Sequence, residues 1–357
     1  AVPDDGCAVF HCAHGTATMA PSRRRRVLRW FLQRRRRLLT QRERRTSKEE
    51  QIRVTCAGGT VFVRVSDPSP SEVSLLGGWH EAREVLQREG RVVLRNLLPQ
   101  KLLETARLRS TFLVFKNTVT VLLAELHALG AVQNPTTAEL SPACLRREVP
   151  LPSLLRRLDV QALPEVRAVL EHAALFNATA RLLKTDEVVT TCYKWLRAVP
   201  PDAFTGPHMD RAYVGASLRR LTAWIPLGDV RCGQNELGSL CWIPGSHRNA
   251  EVIQRFKDYE RAGSDGERSG WLASDVATLT LPEGCSWESC HFNAGDVAIF
   301  GMDLLHSTLP NGRQAFRLSC DTRWQPLDEE PPQGVQTGPW RAFRQGTLPE
   351  GRRSGKG

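Results

Sequence analysis

Near its C-terminal end the chain reads Leu305-His306-Ser307-Thr308-Leu309, then Pro310-Asn311-Gly312-Arg313, then Gln314-Ala315-Phe316-Arg317-Leu318-Ser319. Two short runs of alternating character flank a Pro-Asn-Gly break, the pattern of strand, turn and strand. Asn-Gly is a strong hairpin signal. A turn centred there pairs residues whose numbers sum to 623, so the hairpin reading sets His306 opposite Arg317. Directly opposed residues share a face, with Cβ atoms roughly 5 Å apart. The guanidinium would then lie beside the imidazole and offer a planar fork to a carboxylate.

His306 is answered 98 positions upstream by His208, with Asp210 two residues beyond it. A strand puts residues i and i+2 on one face, so a His-x-Asp pair can aim an imidazole and a carboxylate at one point. Two nitrogens and one oxygen on one side of a metal, with the opposite positions open, suit a non-haem ferrous ion that also binds a cosubstrate and dioxygen. Arg317 would hold the far end of a dicarboxylate cosubstrate chelating that ion. The residues therefore point to an iron-dependent oxygenase.

The charge of the chain is unevenly placed. Its formal net charge is +11, but residues 1–45 hold 12 arginines against Asp4, Asp5 and Glu43, a local charge of +9. The remaining 312 residues carry only +2, so affinity for phosphate backbones would reside in the N-terminal arm and no specific nucleic-acid binding is expected of the body. The arm interleaves Arg23–Arg26 and Arg34–Arg37 with Val27, Leu28, Trp30, Phe31 and Leu32, which reads equally as a transit peptide, a membrane-surface helix or a disordered basic extension. No run reaches the ~20 apolar residues of a membrane-spanning helix, so a soluble cytoplasmic or organellar protein is expected. The ten cysteines show no disulfide or zinc spacing; Cys285, Cys290 and His291 form a close cluster and read as reduced residues of a strand-rich region.

The domain plan expected is an Arg-rich extension over 1–49, one folded domain over 50–330, and a Pro-, Gly- and Gln-rich extension over 331–357. Thr60–Val65 alternates as a strand, Asp67–Pro70 reads as a turn, and Glu81–Glu89 reads as a helix ending at Gly90. Arg91–Arg95 reads as a short strand. A long helical stretch runs from Pro99 to near Gly130, Pro135–Pro152 reads as loop, and Val166, Val169, Leu170, Ala173 and Ala174 recur at helical spacing. From Glu187 the character changes: Glu187–Val199, Arg220–Pro226, Ser239–Pro244, Asp296–Phe300 and Ala315–Trp324 are short, rich in β-branched and aromatic residues, and separated by Pro, Gly and Asn. Many short strands of that kind indicate a sandwich or barrel. Within the first of them Lys194 and Leu196 share one face and Tyr193, Trp195 and Arg197 the other; which face looks inward is left open.

The chain resembles the phytanoyl-CoA dioxygenase family. The matching stretches are Tyr193-Lys194-Trp195-Leu196-Arg197-Ala198-Val199, Thr205-Gly206-Pro207-His208-Met209-Asp210-Arg211, Thr222-Ala223-Trp224-Ile225-Pro226-Leu227-Gly228-Asp229, Pro244-Gly245-Ser246-His247-Arg248, Ala294-Gly295-Asp296-Val297-Ala298-Ile299-Phe300, and Arg317 through Pro326. The resemblance runs from about Leu86 to Pro326 and is strongest from Tyr193 onward. It implies an α+β fold: a double-stranded β-helix, or jelly-roll, core with helices packed on one side, contributed mostly by residues 80–185. It implies that His208, Asp210 and His306 bind Fe(II), that Arg317 pairs with the distal carboxylate of 2-oxoglutarate, that Thr308 touches the same carboxylate, and that Trp224 lies near the cosubstrate. Relatives that halogenate lack the carboxylate present here as Asp210, so hydroxylation is implied, with dioxygen as second cosubstrate and succinate and carbon dioxide released. The substrate class implied is a small organic molecule, lipid-like or acyl in character. Two other readings stand beside this one: a catalytically silent jelly-roll that binds a ligand or partner, and an oxygenase that uses the arginine arm to reach a polyanion.

Overall fold

The computed structural model describes residues 50–56, 59–65, 72–73, 78–98, 106–256, 270–330 and 340–344. The Arg-rich stretch over 1–49 and the turn read at Asp67–Pro70 lie outside the described residues. No helix among the described residues is long and apolar enough to cross a membrane.

Two sheets form the body. The larger has eight strands in the order β13-β5-β12-β7-β10-β4-β3, with β6 pairing β12 off that path. Its strands are β3 (Glu72–Val73), β4 (Arg91–Leu94), β5 (Glu187–Thr191), β6 (Trp195–Val199), β7 (Leu221–Pro226), β10 (Val297–Gly301), β12 (Arg317–Pro326) and β13 (Trp340–Arg344). The smaller runs β1-β2-β9-β8-β11, from β1 (Glu50–Cys56), β2 (Gly59–Val65), β9 (Glu288–Ser289), β8 (Leu240–Trp242) and β11 (His306–Thr308). Pairing is antiparallel apart from β2 with β9 and β3 with β4. This is a jelly-roll of α+β class, with helices on the outer face of the larger sheet. β13 falls within the stretch read as a trailing extension, and it pairs with β5 from Trp340↔Thr191 to Arg344↔Glu187.

The alternation of β12 shows why this layering forms. Leu318, Cys320 and Trp324 enter an apolar core shared with α1 (Trp79–Glu89), α2 (Ala106–Ala128), α3 (Pro164–Leu170) and α4 (Ala173–Leu183). Phe176 of α4 meets Trp324 edge to face at 4.7 Å between ring centroids. The odd-numbered residues Arg317, Ser319, Asp321 and Arg323 take the opposite side, between the sheets. There an apolar cluster of Trp224, Trp242, Phe292 and Phe300 fills part of the space and leaves the rest polar. The outer face of the smaller sheet is covered by Val276, Leu279 and Trp287 from the chain that follows residue 270.

Two expectations change. The run Glu187–Val199 is two strands, because the pairing with β12 shifts register between Thr190↔Trp324 and Trp195↔Asp321; Lys194, in the break, has a buried ammonium that meets Glu171 at 3.2 Å. The Asn311-Gly312 hairpin does not form. β11 pairs with β8 in the smaller sheet and β12 with β6 and β7 in the larger, so residues 309–316 cross between sheets. A hairpin turn of that kind needs left-handed backbone at both central residues, and neither Asn311 nor Gly312 adopts it. Instead the buried Asn311 amide donates to the carbonyls of Val199 at 2.9 Å and Ala315 at 2.7 Å. Gly312 lies so close to the Gln234 carbonyl that a Cβ would collide with it. The dipeptide is there for close approach of backbones, not for turn geometry.

Candidate metal centre

His208 and His306 are fixed first by their backbones. Each donates its N–H to the carbonyl of the other, at 2.9 and 3.0 Å, in an antiparallel bridge between His208 and the first residue of β11. Residues opposed in this way carry side chains on one face, and the two imidazole centroids are 4.1 Å apart. The ring orientation is set by the residue two positions earlier in each case. Nδ1 of His208 donates to the Gly206 carbonyl at 2.7 Å, and Nδ1 of His306 to the Leu304 carbonyl at 2.9 Å. A carbonyl only accepts, so the proton sits on Nδ1 and the lone pair on Nε2 faces inward.

Asp210 completes the group from a different local structure than expected. It is not on a strand with His208 but immediately precedes the short helix α5 (Arg211–Val214), with helical dihedrals of its own. The turn brings Oδ1 to 3.6 Å from His208 Nε2 and 3.8 Å from His306 Nε2. All three ligand atoms lie within 4.8 Å of one another and all three residues are buried. Burial alone would raise the Asp210 carboxyl, but the Arg323 guanidinium and the two imidazoles outweigh it and hold the group well below the usual carboxylate range. Burial, reinforced by neighbouring His208, pushes His306 down to about 4, which keeps its nitrogen available to a metal at neutral pH.

Arg317 reaches the same chamber from the opposite sheet. Its side chain is fully buried, and one terminal nitrogen donates to the Gly238 carbonyl, while Nε and Nη2 have no partner. Burial, with Arg197 nearby, lowers it to about 10, so it remains charged at neutral pH. Two buried guanidinium donors left unpaired are costly unless an acceptor arrives. Thr308 and Trp224 line the same chamber. The Thr308 hydroxyl accepts from the Thr205 N–H at 2.8 Å, which leaves its own proton to donate, and Trp224 packs edge to face on Phe292 at 4.9 Å. The donor set therefore fits a divalent cation, and the unpaired face of Arg317 fits a carboxylate beside it.

Arg323, Thr222 and Asp321 were not singled out from the sequence, and the facing of Arg197 was left open. Arg323 Nη2 donates to Asp210 Oδ1 at 3.0 Å, and the Thr222 hydroxyl donates to Oδ2. Arg197 and Asp321 form an ion pair at 3.1 Å in the chamber wall. This settles the facing of β6: Arg197 looks inward and Lys194 toward the helices. The signal was legible in Arg317-Leu318-Ser319-Cys320-Asp321-Thr322-Arg323-Trp324, where charge recurs with period two on the face that Arg317 already defines.

Fold and donor set together define the class, an iron- and 2-oxoglutarate-dependent oxygenase of the non-haem kind. Within it the chain belongs to the phytanoyl-CoA dioxygenase family, whose model matches residues 86–319. The protein is thus an oxidoreductase that uses Fe(II) and 2-oxoglutarate. Among solved structures, the 2-oxoglutarate-dependent carbocyclase SnoK of nogalamycin biosynthesis is similar at 19% identity, covering 75% of this chain and 91% of its own, with a TM-score of 0.46. AviO1 from Streptomyces viridochromogenes Tue57 is 17% identical, with coverages of 71% and 98% and a TM-score of 0.44. EvdO2 from Micromonospora carbonacea var. aurantiaca, solved with 2-oxoglutarate, is 17% identical, with coverages of 73% and 97% and a TM-score of 0.42. No curated protein matches the chain.

Proposed function

We propose that the enzyme hydroxylates a small organic substrate, lipid-like or acyl in character, at a centre where Nε2 of His208, a carboxylate oxygen of Asp210 and Nε2 of His306 hold Fe(II). Arg317 pairs with the distal carboxylate of 2-oxoglutarate, and Thr308 donates its hydroxyl proton to the same group. The observation that carries this reading is the convergence of three ligand atoms within 4.8 Å beside a buried guanidinium with two unpaired nitrogens. A centre so formed supplies oxidation by dioxygen coupled to decarboxylation of 2-oxoglutarate, with succinate and carbon dioxide released.

The chain's own work is positioning and exclusion. The carbonyls of Gly206 and Leu304 hold both imidazoles in the ligating tautomer. Arg323 and Thr222 keep Asp210 ionised and aimed. Arg317 fixes the cosubstrate in one orientation by its planar fork. Trp224 and Phe300 line a wall that keeps water from the reacting centre; Phe300 lies 4.6 Å from the His306 ring. The three-residue ligand set, complete with Asp210, favours hydroxylation over halide transfer.

The test is succinate release. Purified protein with Fe(II), 2-oxoglutarate and a panel of candidate acyl and lipid-like metabolites should show substrate-stimulated succinate formation, with His208→Ala as the blank. A silent binding protein would bind 2-oxoglutarate and release none.

A further inference from the structure

Charge in the chamber between the sheets does not balance. Arg197, Arg317 and Asp321 line it, and Arg323 stands against Asp210 at its edge, so three guanidiniums meet two carboxylates. Nearby charges are paired among themselves, Arg220 with Glu329 at 3.5 Å and Arg211 with Asp303 at 3.2 Å. A ferrous ion and a 2-oxoglutarate dianion cancel each other, so the filled site keeps one positive charge. Arg317 is answered by the cosubstrate and Arg197 by Asp321. The excess falls on Arg323, because its counterion, Asp210, becomes a ligand of the metal.

Arg323 is built to receive something. It is 2% exposed, and its guanidinium carbon stands 4.4 Å over the Trp195 ring. Only Nη2 is used, on Asp210, while Nε and Nη1 are buried without partners. Among the described residues, Arg317 and Arg323 alone leave two buried guanidinium nitrogens unpaired. The Trp195 ring backs the guanidinium, and Nη2 has a second hydrogen: whichever one Asp210 takes, the other lies parallel to that of Nε or of Nη1, and the pair offers a carboxylate two hydrogen bonds. One surplus charge calls for one negative charge, since a dianion such as a phosphate monoester would overshoot.

We propose that Arg323, backed by Trp195, binds a carboxylate of the substrate, so that the molecule oxidised is a monoanionic acid. The inference rests on the iron and 2-oxoglutarate reading above and names the substrate class for that same site.

The experiment is calorimetric titration of the protein holding Fe(II) and 2-oxoglutarate, without dioxygen, with butyrate, hexanoate and octanoate and with the amide of each. Stoichiometric binding of metal and cosubstrate is measured first on the same samples. Its failure would sink the reading above and this one with it, whereas its success isolates the present claim. The expected result is at least one carboxylate bound about tenfold or more tighter than its amide. Arg323→Gln, which keeps a neutral donor toward Asp210, should bring the two to within about twofold, and Arg323→Lys should restore part of the preference. Should Arg323→Gln fail to fold or to hold metal, Trp195→Ala leaves the Asp210 contact in place and should still cut the carboxylate preference several-fold. Equal affinity for acid and amide, no carboxylate binding, or an unchanged preference in both variants overturns the assignment.

Discussion

His208 and His306, 98 residues apart in sequence, exchange both of their backbone hydrogen bonds. The two imidazoles are therefore juxtaposed by main chain and do not depend on a metal to bring them together. His208→Ala or His306→Ala should accordingly weaken Fe(II) or Mn(II) binding by roughly 100-fold or more while changing the melting temperature of metal-free protein by only a few degrees. Metal titration and thermal unfolding of the same samples check both halves.

Arg317 should not tolerate its nearest chemical relative. Two charge-assisted hydrogen bonds at about 1.5 kcal/mol each amount to roughly 100-fold in affinity. Arg317→Lys keeps the charge but loses the fork, so 2-oxoglutarate affinity should fall at least about tenfold with metal affinity retained. Equal affinity in variant and wild type would remove this residue from cosubstrate binding.

The two faces of β6 predict opposite phenotypes. Lys194→Ala breaks a buried ion pair with Glu171 on the helix side, and should cost about 3 kcal/mol of stability without altering 2-oxoglutarate affinity. Arg197→Ala leaves Asp321 unpaired in the chamber wall and should weaken cosubstrate binding measurably. Denaturant unfolding and equilibrium binding on both variants separate the two.

Acid should destabilise the metal-free enzyme through His306. Its folded value of about 4 lies below the 6.5 of an unfolded histidine, so between those limits the unfolded chain binds more protons and stability falls as pH falls. The full effect is about 3 kcal/mol by pH 4. Saturating metal should leave this slope in place and extend it below pH 4, because the ligated nitrogen stays unprotonated while the unfolded chain still takes up its proton, and His306→Gln should remove it. Urea unfolding at pH 7 and pH 5 is the measurement.

The cluster of His208, Asp210 and His306 and its arginine neighbour Arg317 were legible in the sequence because their chemistry is unusual and their spacing distinctive. Their route into one chamber was not. Asn311-Gly312 carries the same letters whether it turns a hairpin or packs a crossing segment against Gln234, and only the partner strands decide. Asp210 likewise reads as strand from the His-x-Asp spacing, yet a helical turn delivers its carboxylate. Arg323 and Thr222 were missed because their roles exist only once β7 and β12 are in register, with Arg323 opposite Thr222. Pairing across about 100 positions is a tertiary fact that local pattern does not encode.

The crossing segment over 309–316 has one more consequence. The histidines hang from one sheet and Arg317 from the other, and sheets facing each other stand about 10 Å apart. Asn311, clamped to Val199 and Ala315, and Gly312, seated against Gln234, tie those sheets together within a few residues of both groups. The segment works as a caliper: main-chain contacts on either side of it, and not the occupant of the chamber, set the gap between the imidazoles and the guanidinium.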